Sequence, residues 1–200
     1  MDLEIVKKYV PVAAVAQVMT LLDREDLHVE VVARRVTRHG DYRRLPSGAH
    51  IITINQGENP YRFLLTLIHE LAHFRAFKDY GSEIKPHGIE WKTTFKYLML
   101  PFLHPPIFPE KLLSALANYL KNPRASSDSD LALTLALKSF DPPSQKKYIF
   151  DLQEGAKFKT EKGREFIRGR KRIKRFMCTD IQSGRIYLFQ PHVSVYELDQ

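Results

Sequence analysis

The sequence predicts an α+β protein with a helical first part and a small β-rich second part. Three observations predict this: apolar residues at helical spacing over 63–77, β-branched runs over 28–38 and 50–55, and short alternating runs separated by glycines after about residue 146. The chain of 200 residues is 44% apolar, which is enough to bury a core.

The first part is predicted to contain four helices and two strands. In chain order these are a helix over 4–24, strands over 28–38 and 50–55, and helices over 63–77, 87–100 and 108–121. The glycines and proline of 39–48 predict a loop that joins the strands as a hairpin-like pair. The edge of the strand at 50–55 is a candidate surface for an extended peptide.

The composition divides the chain into three segments. Residues 1–122 form the predicted first domain, and the Ser, Asp and Pro residues of 123–145 predict a linker with one short helix. Residues 146–200 form a predicted basic, β-rich C-terminal module, with runs such as "REFIRG" and "RIYLFQ" as its strands.

The positive charge of the chain lies in one segment of this module. Residues 157–175 hold ten Lys or Arg against Glu161 and Glu165, so they carry the whole formal net charge of +8. Such a concentration predicts an anionic partner. The candidate nucleic-acid contacts are Arg168, Arg170, Lys171, Arg172, Lys174 and Arg175.

Three phenylalanines are interleaved with these cations, at 158, 166 and 176. Their rings could stack on unpaired bases, or they could form the core of the module, which is the favoured interpretation. No base-reading motif is visible, so DNA binding is expected to be independent of sequence.

The cysteine count and the apolar pattern indicate the compartment. Cys178 is the only cysteine, so an intrachain disulfide is impossible and a cytoplasmic location is expected. No run approaches the roughly 18 apolar residues of a membrane span, and no membrane partner is expected.

The helix over 63–77 carries "HELAH", with His69, Glu70 and His73 in an otherwise apolar sequence. Residues four apart lie one turn apart on one helix face, so both imidazoles can reach a single cation. Glu70 lies on the adjoining edge, where a carboxylate can take a proton from a metal-bound water that attacks a carbonyl. The motif therefore predicts a Zn²⁺ site that hydrolyses amide bonds.

The third ligand has two candidates downstream, His87 and Glu90 in "PHGIEW". Gly88 is expected to keep the space beside the His87 imidazole free. Either residue can complete a zinc site, and either can also have a structural role: His87 as a helix cap, Glu90 as a first-turn carboxylate.

These motifs resemble the SprT-like zinc metalloproteases, the family that includes the Spartan proteases acting on DNA–protein crosslinks. The resemblance rests on "HELAH", thirteen intervening residues, "HGIEW", and the preceding "RRVTRHGDYR" and "ITIN". It implies a zincin-like metalloprotease core of helices with a small sheet, zinc ligands at His69, His73 and His87, and Glu70 as the catalytic base.

One feature departs from this family. Many SprT-like proteins end in a zinc ribbon with four cysteines, whereas this tail has Cys178 alone. The ribbon's metal is therefore not expected, and the basic segment offers another route to nucleic acid.

The expected function is zinc-dependent proteolysis of protein or peptide substrates, including DNA-bound or DNA-crosslinked proteins. The alternative is a nucleic-acid-binding protein with a structural zinc site and no proteolysis. Hydrolysis of another amide is a third reading. Tyr80, Tyr97 and His104 are weaker candidates, the tyrosines for oxyanion stabilisation and His104 as a ligand.

Overall fold

The computed structural model describes residues 3–23, 26–35, 38–57 and 59–199. Some predictions fall on residues outside these ranges: residue 24 of the first predicted helix, residues 36 and 37 of the first predicted strand, and residues 1, 2 and 200 at the ends of the predicted domains. The described residues form a mixed α+β protein with six α-helices and two sheets. They divide into two compact units, 1–142 and 143–200.

The predicted first helix is interrupted. Helix α1 is Leu3–Lys7, a 3₁₀ turn covers Val12–Ala14, and helix α2 is Val15–Leu22. Pro11 explains the break, because its ring clashes with the preceding turn and it has no N–H to donate. Apolar residues at a spacing of four, from Val6 to Leu22, are still buried in the core.

The predicted hairpin-like pair is wrong, because the two strands pair in parallel and a third strand lies between them in the sequence. Strands β1 (Leu27–Val32), β2 (Gly40–Arg44) and β3 (His50–Asn55) have the order β1-β3-β2. β1 and β3 run parallel, and β2 and β3 run antiparallel. Strand β2 lies in the predicted loop, where its short polar sequence hid the alternation. Since β3 is central, its edge is not available to a peptide.

Helix α3 (Pro60–Tyr80) is the central helix of this unit. The Asn59 side chain accepts hydrogen bonds from the backbone N–H groups of Tyr61 and Arg62, and Pro60 occupies the first helical position. Ten of its residues are buried, including Leu64, Leu67 and Ile68. The remaining helices are α4 (Ile89–Met99), α5 (Glu110–Lys121) and α6 (Leu131–Lys138).

The short helix expected in a linker belongs to the core of the first unit. Leu133 and Leu137 of α6 are 0% and 1% exposed. The Asn59 Nδ2 group donates to the Leu137 carbonyl at 2.8 Å, which ties α6 to the start of α3. In the sequence, Leu133 and Leu137 follow a Ser- and Asp-rich stretch, and two leucines are too weak an apolar pattern to predict that this helix packs in the core.

The second unit is a six-stranded sheet. Its strands are β4 (Lys146–Tyr148), β5 (Lys157–Lys159), β6 (Glu165–Arg172), β7 (Arg175–Asp180), β8 (Ile186–Phe189) and β9 (Ser194–Glu197). Their order in the sheet is β4-β9-β5-β6-β7-β8. Phe158, Phe166 and Phe176 are buried with Cys178 and Val195, so the interleaved aromatics form the core, as favoured from the sequence.

Among the described residues, the helices include none that is both long and apolar enough to cross a bilayer.

Candidate metal centre

His69 and His73 lie one turn apart on α3, as the spacing predicts. Their Nε2 atoms are 3.3 Å apart. The helix is held in place by its buried leucines and phenylalanines, so both imidazoles project from a rigid support.

His87 reaches the same point from a tight turn before α4. The Gly88 N–H donates to the Lys85 carbonyl at 2.8 Å, Pro86 is the second residue of the turn, and His87 has φ 58°. Proline followed by a residue with positive φ is typical of a type II turn. The His87 Nε2 atom lies 3.1 Å from that of His69 and 3.0 Å from that of His73.

Gly88 also has a role in closing the turn itself. A Cβ atom there would lie 2.9 Å from the Lys85 carbonyl oxygen and 3.0 Å from a Glu90 carboxylate oxygen. The glycine therefore permits the turn to close on itself and on the first turn of α4.

The three nitrogens fit a zinc ion. Tetrahedral zinc, with Zn–N bonds of about 2.0–2.1 Å, separates its nitrogen ligands by about 3.3 Å. Mutual hydrogen bonds cannot satisfy the three atoms, because each ring nitrogen is either a donor or an acceptor and two of three must be alike. A cation accepts lone pairs from all three, and among the described residues these histidines are the group that could hold a metal ion.

The protonation states also suit metal binding. Burial lowers the pKa of His69 to about 3 and that of His73 to about 4, with neighbouring histidines adding to both shifts. Burial also lowers the pKa of His87. All three imidazoles are therefore neutral at physiological pH, which is the form that ligates a metal.

Trp91 supports the three rings from one side. It is fully buried, and its ring centroid lies 4.6 Å from that of His69, 5.3 Å from that of His73 and 4.7 Å from that of His87. Its Nε1–H donates to the His69 carbonyl at 3.3 Å. The tryptophan of "HGIEW" thus links the first turn of α4 to the ligand-bearing part of α3.

Glu70 is buried beside strand β2, with 7% of its surface exposed. Burial raises its pKa to about 7, the Asp41 charge adds to the rise, and the Tyr42 backbone N–H opposes it. A bound cation at the adjacent histidines would lower this pKa again. The carboxylate is thus desolvated, while the nearby Tyr42 backbone N–H favours its ionised form, which suits a proton acceptor at a hydrolytic site.

Strand β2 can approach Glu70 because residue 40 is glycine. A Cβ atom on Gly40 would lie 2.8 Å from the Thr66 Cγ2 atom, 3.1 Å from the Glu70 Cγ atom and 3.1 Å from the Thr53 carbonyl oxygen. Any side chain here would push β2 away from α3. The role of Gly40 was not predicted from the sequence, although the glycine is visible in "HGDYR".

Tyr42 and His50 were also missed. The Tyr42 ring is stacked with that of His73, at 6.4 Å between centroids, and its hydroxyl is hydrogen-bonded to His50 Nδ1 at 2.9 Å. Burial raises the pKa of Tyr42 to about 12 and lowers that of His50. Tyr42 of this neutral pair contacts the His73 ring from the sheet, whereas Trp91 contacts the same ring from α4.

The weaker candidates lie apart from the three-histidine group. Glu90 and His104 are not members of that group, within the part of the chain that the structure describes. Tyr80 and Tyr97 line a cavity of about 410 Å³ between α3 and α4, and neither the three histidines nor Glu70 is among its lining residues.

The six candidate nucleic-acid contacts lie in the β6–β7 hairpin, and they differ in exposure. Arg170, Lys171, Arg172, Lys174 and Arg175 are exposed. The side chain of Arg168 is only 14% exposed: its guanidinium lies over the Phe176 ring at 4.3 Å and pairs with Glu154 at 3.9 Å. Five of the six candidate contacts thus face solvent, and Arg168 packs against the core.

Comparisons with models of protein families, with curated proteins and with solved structures find no match to this chain. The likeness to SprT-like proteases therefore rests on the sequence motifs and stays a prediction.

Proposed function

We propose that this protein is a zinc-dependent metalloprotease of the SprT-like type, with a zincin-like core in the first unit. The observation that carries the proposal is the convergence of the His69, His73 and His87 Nε2 atoms beside a buried glutamate. Three nitrogen ligands leave a fourth tetrahedral position open, which is typical of catalytic rather than structural zinc.

In this mechanism the three histidines would hold the metal, and Glu70 would move a proton. When bound, zinc supplies Lewis acidity that polarises the substrate carbonyl and lowers the pKa of water. Glu70 accepts the proton of the attacking water and transfers it to the leaving amine. Strand β2 lies against Glu70 at Gly40, and Trp91 and Tyr42 pack against the imidazoles that would hold the metal.

We propose proteins bound or crosslinked to DNA as the substrates. The formal +8 charge lies in one segment, and five exposed cations on the β6–β7 hairpin suit phosphate contacts without sequence preference. Recruitment to DNA would confine an otherwise unselective protease to its substrates. The single buried cysteine is compatible with the cytoplasmic location that we propose.

The deciding experiment compares wild type with Glu70→Gln on a DNA-bound protein substrate. Both proteins are expected to contain near-stoichiometric zinc, and the variant should lose cleavage by at least about a hundredfold because an amide cannot accept the proton. Equal cleavage by the two proteins contradicts the role of Glu70. Zinc in both without cleavage by wild type points to the alternative, a nucleic-acid-binding protein with structural zinc.

A further inference from the structure

The end of the β6–β7 hairpin presents one apolar side chain among cations. We call residues 170–175 the hairpin tip. Ile173 is 87% exposed, and the other five residues of the tip are the exposed cations described above. Single exposed apolar side chains are common on protein surfaces, so the evidence for a partner comes from the backbone and the charges around Ile173.

The backbone at Ile173 is strained. Strands β6 and β7 are joined by the two-residue turn Ile173–Lys174, and Ile173 has φ 54°. Two-residue hairpin turns usually place Gly, Asn or Asp at such a position, and a β-branched residue there is an outlier. The chain therefore tolerates strain to keep isoleucine at this point.

The charges of the tip also oppose local stability. Arg172 and Arg175 are directly opposite each other across the hairpin. Like charges at such a pair destabilise a hairpin. Within the residues that the structure describes, the ion pairs involve none of the five cations of the tip. Conflicts of this kind are expected at functional surfaces, where a partner compensates them.

A β-bulge separates the tip from the supported base of the hairpin. Gly169 and Arg170 together oppose Met177, between the pairs Arg168–Cys178 and Lys171–Phe176. A Cβ atom on Gly169 would lie 2.8 Å from the Met177 carbonyl oxygen, so glycine permits this close approach. Bulges increase strand twist and redirect side chains, and here the bulge lies where packed Arg168 gives way to solvated cations.

We propose that the hairpin tip is a wedge for DNA with interrupted base stacking. The five cations contact the phosphates, and Ile173 inserts between bases at a mismatch, bulge or junction. Apolar wedges of this type insert between base steps, and insertion costs least where stacking is already broken. The inference deepens the proposed function and rests on its DNA-bound substrate.

DNA suits this tip better than a membrane surface. One isoleucine provides little apolar area for a bilayer, and stable anchoring requires more than one such signal. A single side chain is enough to separate two bases. A two-stranded β-ribbon also fits a groove of B-form DNA, where its cations lie close to both backbones.

The test measures binding of the full-length protein to fluorescently labelled duplexes, one intact and one with a central two-base mismatch. Wild type should bind the mismatched duplex about tenfold more tightly than the intact one. Ile173→Asn should bind both with the affinity of wild type for the intact duplex. A 2-aminopurine beside the mismatch should brighten with wild type, as it unstacks, and not with Ile173→Asn.

Ile181→Asn is the matched control. Ile181 is 44% exposed and follows the other end of β7, so this variant should keep the mismatch preference. Asn tolerates φ 54°, and Ile173→Asn should therefore melt at the same or a higher temperature than wild type. An unfolded protein thus cannot explain a loss of preference.

Three results would overturn the inference. Ile173→Asn could retain the preference and the 2-aminopurine signal, or wild type could show no preference. Ile173→Asn could instead lose binding to phosphatidylserine vesicles and not to DNA, which assigns the tip to membranes. The test uses DNA without a protein substrate, so its result does not depend on whether the protein is a protease. Absence of all DNA binding contradicts the DNA part of the proposed function as well.

Discussion

At the scale of the residue, His87 and Glu70 of the candidate metal centre each depend on one backbone feature. His87 is presented by positive φ in a closed turn, and Glu70 by a glycine on the facing strand. Both features are backbone properties of a single residue. Substitutions at single residues can therefore separate metal binding from chemistry.

The third ligand is tested by comparing His87→Ala with Glu90→Ala. Loss of one of three ligands should lower zinc affinity at least about a hundredfold, so His87→Ala should purify with little zinc. Glu90→Ala is the control and should retain it, since Glu90 is not a member of the three-histidine group. Zinc measured by atomic emission in the opposite pattern would reverse the choice of ligand.

Gly40→Ala tests the approach of β2 to Glu70. The new methyl group would meet the Thr66 side chain and the Thr53 carbonyl, so β2 must shift, at a cost of about 1–3 kcal/mol in the free energy of unfolding. The Tyr42 backbone N–H would shift with it. Cleavage should fall at least about tenfold while zinc content stays unchanged.

Gly57→Ala is the control for this change, because a Cβ atom at residue 57 meets no heavy atom within 4 Å. It should leave both cleavage and stability near those of wild type. Full activity of Gly40→Ala would show that β2 does not position the glutamate.

At the scale of the element, the start of α3 is tied to the segment before α6 by charge. Arg62 donates to Asp128 at 2.9 Å, and His39 is hydrogen-bonded to the same carboxylate at 2.7 Å. Asn59, the N-cap of α3, holds the end of α6 through the Leu137 carbonyl. These contacts fasten the predicted linker to the helix that carries the metal ligands.

The Asp128 contacts predict a dependence of stability on pH. Partial burial alone would raise the pKa of Asp128, but hydrogen bonds and charges from His39 and Arg62 lower it to about 2. A lowered folded-state pKa stabilises the protein above the unfolded value near 3.8 and loses that effect as the pH falls towards 2. Asp128→Asn should therefore cost about 1 kcal/mol at pH 7, after allowance for solvent screening, and nearly nothing at pH 2.

Urea unfolding followed by Trp91 fluorescence measures this effect, because Trp91 is the single tryptophan and lies in the first unit. Asp79→Asn is the control, since Asp79 pairs with Arg75 on the surface of α3. A difference between Asp128→Asn and wild type that is constant from pH 7 to pH 2 would exclude the ionised pair as its source.

At the scale of the whole molecule, the net positive charge and the candidate metal centre lie in different units. The candidate metal centre is in 1–142, and the cationic hairpin is in 143–200. Outside residues 157–175 the chain has equal numbers of basic and acidic residues. Any attraction to DNA should therefore come from the second unit and disappear with its hairpin charges.

DNA should stimulate cleavage of DNA-bound proteins in a salt-dependent way. Five phosphate contacts predict a slope of about −4.5 for log K against log salt. Replacement of Arg170, Lys171, Arg172, Lys174 and Arg175 with Gln should flatten this slope and abolish the stimulation, with zinc content unchanged.

The control replaces five exposed cations of the first unit, Lys8, Arg34, Lys111, Lys121 and Arg124, with Gln. It removes the same charge and should keep both the slope and most of the stimulation. Equal cleavage with and without DNA in wild type would refute recruitment even if proteolysis is observed.

Local patterns determined the parts of this protein that depend on one element at a time. The pairing of His69 with His73 followed from the spacing within a single helix, because helical geometry is a property of the local chain. The β-rich tail and its buried phenylalanines followed from alternation and turn residues. The charge concentration is a property of composition alone.

The tertiary structure decided whatever depends on distant segments. The polar sequence of β2 forms a strand because it pairs with β3 beside α3. Arg168 was predicted to contact nucleic acid, but in the folded protein its guanidinium packs over the Phe176 ring. His87 could be singled out from the sequence through resemblance, but its meeting with His69 and His73 depends on a turn closed by a long-range fold. Such contacts join residues far apart in the chain, so no local periodicity records them, and only the packed structure brings them together.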